Sequence, residues 1–219
     1  MNEKNHMIKV DRFVFNPFQE NTYLLSDETG ECIIIDPGCF DDHEEKELDD
    51  FITGHKLKIV GHVLTHCHID HILGMAHIFH TYGTRPVMHK ESLETLHSAA
   101  DHGKFFGIEM NEIIEPVTFL NEGDLIKFGH AQLEIKYTPG HVDGHICLIS
   151  HQSGFVIAGD VLFQGSIGRT DLPTGNFKTL EASIKTKLYT LPDDYIVYPG
   201  HGPHTFIGSE KQSNPFVRG

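Results

Sequence analysis

The sequence predicts an α/β fold in which two β-sheets pack as a sandwich with helices on the outside. Both halves of the chain run from strand-like segments to a helix, as two helix-covered sheets require. The run 32–35 is apolar without interruption, as expected of a strand buried on both faces. No shift of composition marks a linker, no segment is of low complexity and no strong internal repeat is visible. The 219 residues therefore read as one domain, 1–219, large enough for a sizeable core, with a polar start at 1–7 that is expected to fray.

Residues 10–15 and 22–25 are rich in aromatic and β-branched side chains on either side of Asn16-Pro17, which predicts a pair of early strands. The run 32–35 stops at Asp36-Pro37-Gly38, a turn signal. A helix over 41–53 follows, its acidic first turn suited to the positive end of the helix dipole and Gly54 its stop. Residues 58–64 form the next strand, and 72–82 carry the apolar spacing of an amphipathic helix closed by Gly83. Next come a helix over 91–106 and a hairpin over 125–136 around Gly129-His130. A second hairpin joins 146–149 to 155–157 around Ser153-Gly154. The last helix is predicted over 177–189 and the last strand over 195–198. From Pro199 onward the chain is too rich in Gly and Pro to be regular.

Thirty-one acidic against seventeen basic residues give a net charge of -14, so a phosphate backbone or an anionic membrane surface is repelled and no nucleic-acid partner is expected. No apolar run approaches the roughly 18 residues of a membrane span, and the start lacks the apolar core of a secretory signal. A cytoplasmic protein acting on a small molecule is expected, as a monomer or a homodimer. Cys32, Cys39, Cys67 and Cys147 show no paired spacing, which predicts free thiols.

Eighteen histidines stand out, because neutral imidazole binds metals. His66, His68, Asp70 and His71 are four ligand-type side chains within six positions, in the turn between a buried strand and a helix. His66 and His68 are two apart in extended chain and so project to one side, whereas Asp70 and His71 point elsewhere; the pattern can serve two cations. Cys67 alternates with them and should face the core. His141, Asp160 and His201 each lie just past the end of a predicted strand, so all these groups can converge on one edge of the sandwich. His145 and His204 fall close to these motifs but read as ordinary structural residues rather than second-layer supports. Arg169, in a glycine-rich loop, either grips a substrate carboxylate with its fork or pairs with Asp171 and shapes the loop.

The order Thr65-His66-Cys67-His68-Ile69-Asp70-His71, Thr138-Pro139-Gly140-His141, Gly159-Asp160 and Gly200-His201 resembles the metallo-β-lactamase superfamily. The stretches 159–171 and 198–203, with the N-terminal Asn16-Pro17-Phe18-Gln19-Glu20-Asn21-Thr22-Tyr23, are similar to its glyoxalase II-like hydrolases, in the short single-domain branch without a C-terminal helical glutathione-binding region. The resemblance implies an αββα sandwich of two mixed sheets with two divalent metal ions on one edge, zinc first and iron or manganese next. It implies that His66, His68 and His141 hold one metal, Asp70, His71 and His201 the other, and that Asp160 bridges them.

Two cations about 3.5 to 4 Å apart can share a water and bring its pKa near neutrality, so hydrolysis by a bridging hydroxide needs no serine or cysteine nucleophile. Asp70, expected to touch both a metal and that water, is the candidate catalytic proton carrier. The expected function is hydrolysis of a small acyl thioester resembling S-lactoylglutathione. The alternatives are an oxidoreductase resembling the single-iron persulfide dioxygenases, or a lactonase or other ester hydrolase on the same fold.

Overall fold

The computed structural model describes residues 7–110 and 112–219. Of the start expected to fray, residues 1–6 lie outside the described residues. The first half of the chain builds one six-stranded sheet from β1 (Lys9–Phe15), β2 (Glu20–Ser26), β3 (Glu31–Ile35), β4 (Lys58–Val63), β5 (Pro86–His89) and β6 (Thr118–Leu120), which lie side by side in chain order. The first three strands pair antiparallel and the last four are parallel to one another. Helices α1 (Asp42–Gly54), α2 (Met75–Tyr82) and α3 (Leu93–Phe105) fall between these strands.

The second half forms the partner sheet from β7 (Leu125–Phe128), β8 (Ala131–Tyr137), β9 (Ile146–Ser150) and β10 (Phe155–Gly159). A two-strand ribbon, β11 (Leu162–Phe163) and β12 (Ser166–Ile167), and helix α4 (Phe177–Ser183) separate these from β13 (Ile196–Pro199) and β14 (Thr205–Phe206). The spatial order is β14-β13-β10-β9-β8-β7, with only the β10–β13 pair parallel, so both sheets are mixed.

Strand side chains alternate between faces, and here both faces are apolar. Tyr23, Leu25, Ile33 and Ile35 of the first sheet meet Ile146, Leu148, Phe155 and Ile157 of the second in a shared interior. The intervening Leu24, Cys32 and Ile34 pack outward against Leu48 and Ile52 of α1 and Ile78 of α2. On the far side Cys147, Ile149, Val156 and Ala158 pack under Leu180 of α4 and the turns that follow it. This gives four layers, helix on sheet on sheet on helix, which explains the uninterrupted apolar run at 32–35.

Most elements form where periodicity places them. Asp41 caps α1 by accepting from the backbone N–H groups of His43 and Glu44, and Gly83 ends α2 in the left-handed conformation. The helix expected from residue 72 starts instead at Met75, because Ile69–His71 is wound into a single 3₁₀ turn. The helix expected over 177–189 continues past Ser183 with wider π-type turns over Ile184–Leu188. Strands β5 and β6, of four and three residues, lack enough alternation to be seen before folding.

The expectation of an irregular ending is corrected by β14 and α5 (Ile207–Ser213). What orders this segment is distant in sequence. Ile207 joins the core under the second sheet, the Gly208 N–H donates to the Asp193 carbonyl, and buried Glu210 accepts from Thr205 Oγ1 and from the Gly165 N–H.

Leu148 is wholly buried between the sheets. Leu148→Ala is expected to destabilise the protein by about 3 kcal/mol, from lost transfer energy plus a cavity, read as a lower denaturant midpoint at unchanged m-value.

Candidate metal centre

Four strand ends deliver the histidines and aspartates to one edge of the sandwich. β4 runs into residues 65–71, β8 is followed by His141, β10 by Asp160 and β13 by His201. The structure brings all seven sequence-predicted residues together, six of them in two groups of three with Asp160 between. His66, His68 and His141 offer ring nitrogens within 4.8 Å of one another, and a carboxylate oxygen of Asp70 with ring nitrogens of His71 and His201 lie equally close. Cys67 turns away, its Sγ 3.4 Å from Met88 Sδ in the core and its thiol pushed up by burial.

Asp160 lies between the groups. Its Oδ1 is 3.6 Å from His71 Nε2, while its Oδ2 is 3.7 Å from His141 Nε2 and 3.6 Å from His201 Nε2. Within the groups, His68 Nδ1 stands 2.9 Å from His141 Nε2, and His201 Nε2 stands 3.1 Å from Asp70 Oδ2. The approach depends on Gly200, where a Cβ would fall 2.2 Å from Asp160 Oδ1 and 2.7 Å from His71 Cε1.

Four of the rings, His66, His71, His141 and His201, have a partner on the outer nitrogen that sets its proton, a feature of metal-binding histidines. His141 Nδ1 donates to the Arg169 carbonyl at 2.8 Å, His201 Nδ1 to the Phe18 carbonyl at 3.2 Å and His71 Nδ1 to Asp36 Oδ2 at 3.1 Å. Thr65 Oγ1 gives its one proton to Asp36 Oδ2 at 2.6 Å, so it accepts from His66 Nδ1 at 3.1 Å. Each of these rings therefore turns its Nε2 inward, the nitrogen a cation would meet once any proton on it has left. Among the described residues, His66 Nε2, His71 Nε2 and Asp160 Oδ1 are buried without a hydrogen-bond partner. Buried polar atoms in a folded protein are almost always paired, and divalent cations fit this donor set as the missing partners.

The two groups differ electrostatically. Burial holds His66 well below the usual imidazole range and His68 down at about 3, so the first group is neutral and ready to coordinate. Burial also works against charge on His71 and His201, but Asp70 and Asp160 beside them outweigh it and hold both rings above their ordinary value. Burial opposes ionisation of Asp160 and Asp70, yet the neighbouring histidines, His71 foremost, keep both carboxyls below the usual carboxylate range.

Three supporting residues escaped the sequence reading. Asp36, read as a turn former, accepts from the Thr65 N–H at 2.7 Å through Oδ1 while its Oδ2 holds Thr65 Oγ1 and His71. Asn16 donates through Nδ2 to the carbonyls of Gly38 and Asp70. His145 is corrected from an ordinary residue to a support, because its Nε2 accepts the Asp160 N–H at 3.0 Å. His204 is exposed and takes no part. Arg169 forms a two-pronged pair with Asp171, Nε to Oδ1 and Nη2 to Oδ2, both at 2.8 Å, while its carbonyl orients His141.

A seven-residue centre of this kind on the edge of a four-layer sandwich defines a metal-dependent hydrolase. Residues 15–201 match the Metallo-beta-lactamase superfamily model, and the chain belongs to that family. It is 39% identical over 202 residues to a protein of Haemophilus influenzae described as hydroxyacylglutathione hydrolase GloC, covering 91% of this chain and 93% of that one. The crystal structure of TTHA1623 in a di-iron-bound form superposes with a TM-score of 0.84 at 35% identity, over 95% of this chain and all of that one. The BLEG-1 B3 metallo-beta-lactamase gives the same TM-score at 31% identity, over 96% of this chain and all of that one.

Two outcomes follow from this geometry. Asp36→Asn is expected to weaken metal affinity about tenfold to hundredfold by loosening His71 and His66, measured by competition with a chromophoric chelator. Cation binding in the second group displaces protons from His71 and His201, whose folded values are raised. Protons therefore compete there already above the usual imidazole value near 6.5, so as pH falls the second equivalent should weaken first, by about tenfold per pH unit for each proton released, in metal titrations at stepped pH.

Proposed function

We propose that this chain hydrolyses small acyl thioesters of the S-lactoylglutathione kind at a two-metal centre. The observation that carries the reading is that the joined His and Asp groups form the floor of an open cleft of about 800 Å³, large enough for a small substrate and its carrier. The thioester class is supported by the likeness to GloC at 39% identity. The Asp70, His71 and His201 group favours two metals over the single iron of a persulfide dioxygenase-like centre.

In this reading His66, His68 and His141 hold one metal, Asp70, His71 and His201 the other, and Asp160 both. Zinc is proposed first, and iron is the alternative in view of the di-iron form of TTHA1623. When bound, two such cations supply an activated water at neutral pH and polarise the scissile carbonyl. Asp70 and His201 line the cleft. Asp70, kept ionised, takes the proton released as water attacks the carbonyl carbon and passes it to the sulfur as the C–S bond breaks, so that the carrier leaves as a free thiol. Asp160 keeps the two groups in register.

The partner is a small molecule rather than nucleic acid or a membrane, in keeping with the net charge of -14. No helix among the described residues is long and apolar enough to cross a membrane.

The test is the hydrolysis of S-lactoylglutathione by the purified protein with its native metals, beside an Asp70→Ala/His201→Ala variant. The variant should lose more than about a hundredfold in kcat/KM, the lower range for removing a positioned acid–base group. No turnover by wild-type protein carrying two metals per chain would reject this thioester.

A further inference from the structure

Resting on the thioester reading, we infer that the cleft selects substrates carrying an apolar, aromatic or branched aliphatic group away from the scissile bond, in preference to a multiply charged peptide carrier. One wall is a face of α3. Glu94, Ser98, His102 and Phe105 recur at spacings of three and four and line the cleft, while Leu96, Ala99 and Gly103 face the core. Phe105 is therefore on the cleft side by register, 85% exposed, and Phe106 beside it is 62% exposed. Phe106 meets Phe18 edge to face at 5.4 Å between ring centres. Ile167, Leu172 and Pro173 line the same cleft.

Two large exposed aromatics at the mouth of a cleft mark a binding surface rather than a packing need. The rim is anchored to the centre, because Gly103 of α3 lies so close to Ile69 that a Cβ would fall 2.3 Å from its Cδ1. Ile69 begins the turn that carries Asp70 and His71. The distance from aromatic rim to reacting atoms is thus set by the fold.

Charge argues the same way. Among the described residues no lysine lines the cleft, and Arg169, apart from histidines its one cationic side chain, is forked onto Asp171. Glu94 adds a negative charge to the wall. A carrier with two carboxylates finds no unengaged fork there, whereas a neutral aromatic group finds both rings and aliphatic side chains in the lining.

Phe105→Ala and Phe106→Ala remove exposed rings and should leave the fold and metal content unchanged. Binding is measured first, by calorimetry, with two non-hydrolysable thioethers, neutral 2-(benzylthio)ethanol and charged S-methylglutathione. The benzyl compound is expected to bind at least about tenfold more tightly, with a negative heat-capacity change, and to lose about fivefold or more in each variant while S-methylglutathione is unaffected. Kinetics follow with the S-benzyl thioester of lactate and S-lactoylglutathione, where the S-benzyl ester should have the higher kcat/KM and the variants should raise its KM with little change in kcat. Equal binding of the two thioethers, or variants that leave the benzyl compound unaffected, would overturn the inference even if S-lactoylglutathione is hydrolysed. Tight, ring-dependent binding of the benzyl compound with neither thioester hydrolysed would uphold the apolar subsite and remove the thioesterase reading instead.

Discussion

Asp36 is 2% exposed, and its two carboxylate oxygens hold the backbone and hydroxyl of Thr65 and the Nδ1 of His71. Through Thr65 it also orients His66. One buried carboxylate at the end of β3 thus directs a histidine from each of the two groups. It sits where β3 and β4 pair in parallel, so the sheet itself brings the carboxylate to the turn it must hold. Removing a partner from such a desolvated network leaves polar groups without either water or protein, which is why its members act as a unit.

The same logic extends outward from the centre. Asn21 reaches from β2 to the carbonyls of Pro199 and Gly202, and Tyr23 donates to the Pro199 carbonyl, so the first sheet grips the segment that presents His201. The second sheet reaches back in turn, the Ile146 N–H at the start of β9 donating to the Thr65 carbonyl beside His66 at 2.9 Å. Each sheet therefore positions groups belonging to the other, and the centre is a joint between the layers as much as a site on their edge. Its inward-facing imidazoles and carboxylates are costly to bury unpaired, and cations that satisfy them couple metal loading to the stability of the sandwich.

Above this joint, the cleft combines a rigid floor with an apolar rim. The floor offers chemistry common to many hydrolases, so the choice of substrate rests with the walls: α3 with its terminal aromatics, and the loop at 163–174 where Arg169 is tied to Asp171. The carbonyl of Arg169 orients His141 while its guanidinium shapes the loop, which links the wall to the floor through a single residue.

The sequence by itself determined the layered α/β architecture, because apolar runs such as 32–35 demand cover on both faces. It also determined which ligand-type residues cluster at strand ends, because period-two spacing and turn signals are local properties. It placed Cys67 in the core by the same alternation. Only the tertiary structure decided how His145 and Asp36 serve the centre, since their partners, Asp160 and the Thr65–His71 turn, lie 15 to 35 positions away. It alone decided that the tail past Pro199 is a strand and a helix, because Ile207, Gly208 and Glu210 are ordered by contacts with distant residues rather than by their own periodicity. Local spacing records which way a side chain leaves the backbone, but the groups it meets there are set by chain segments that only folding brings together.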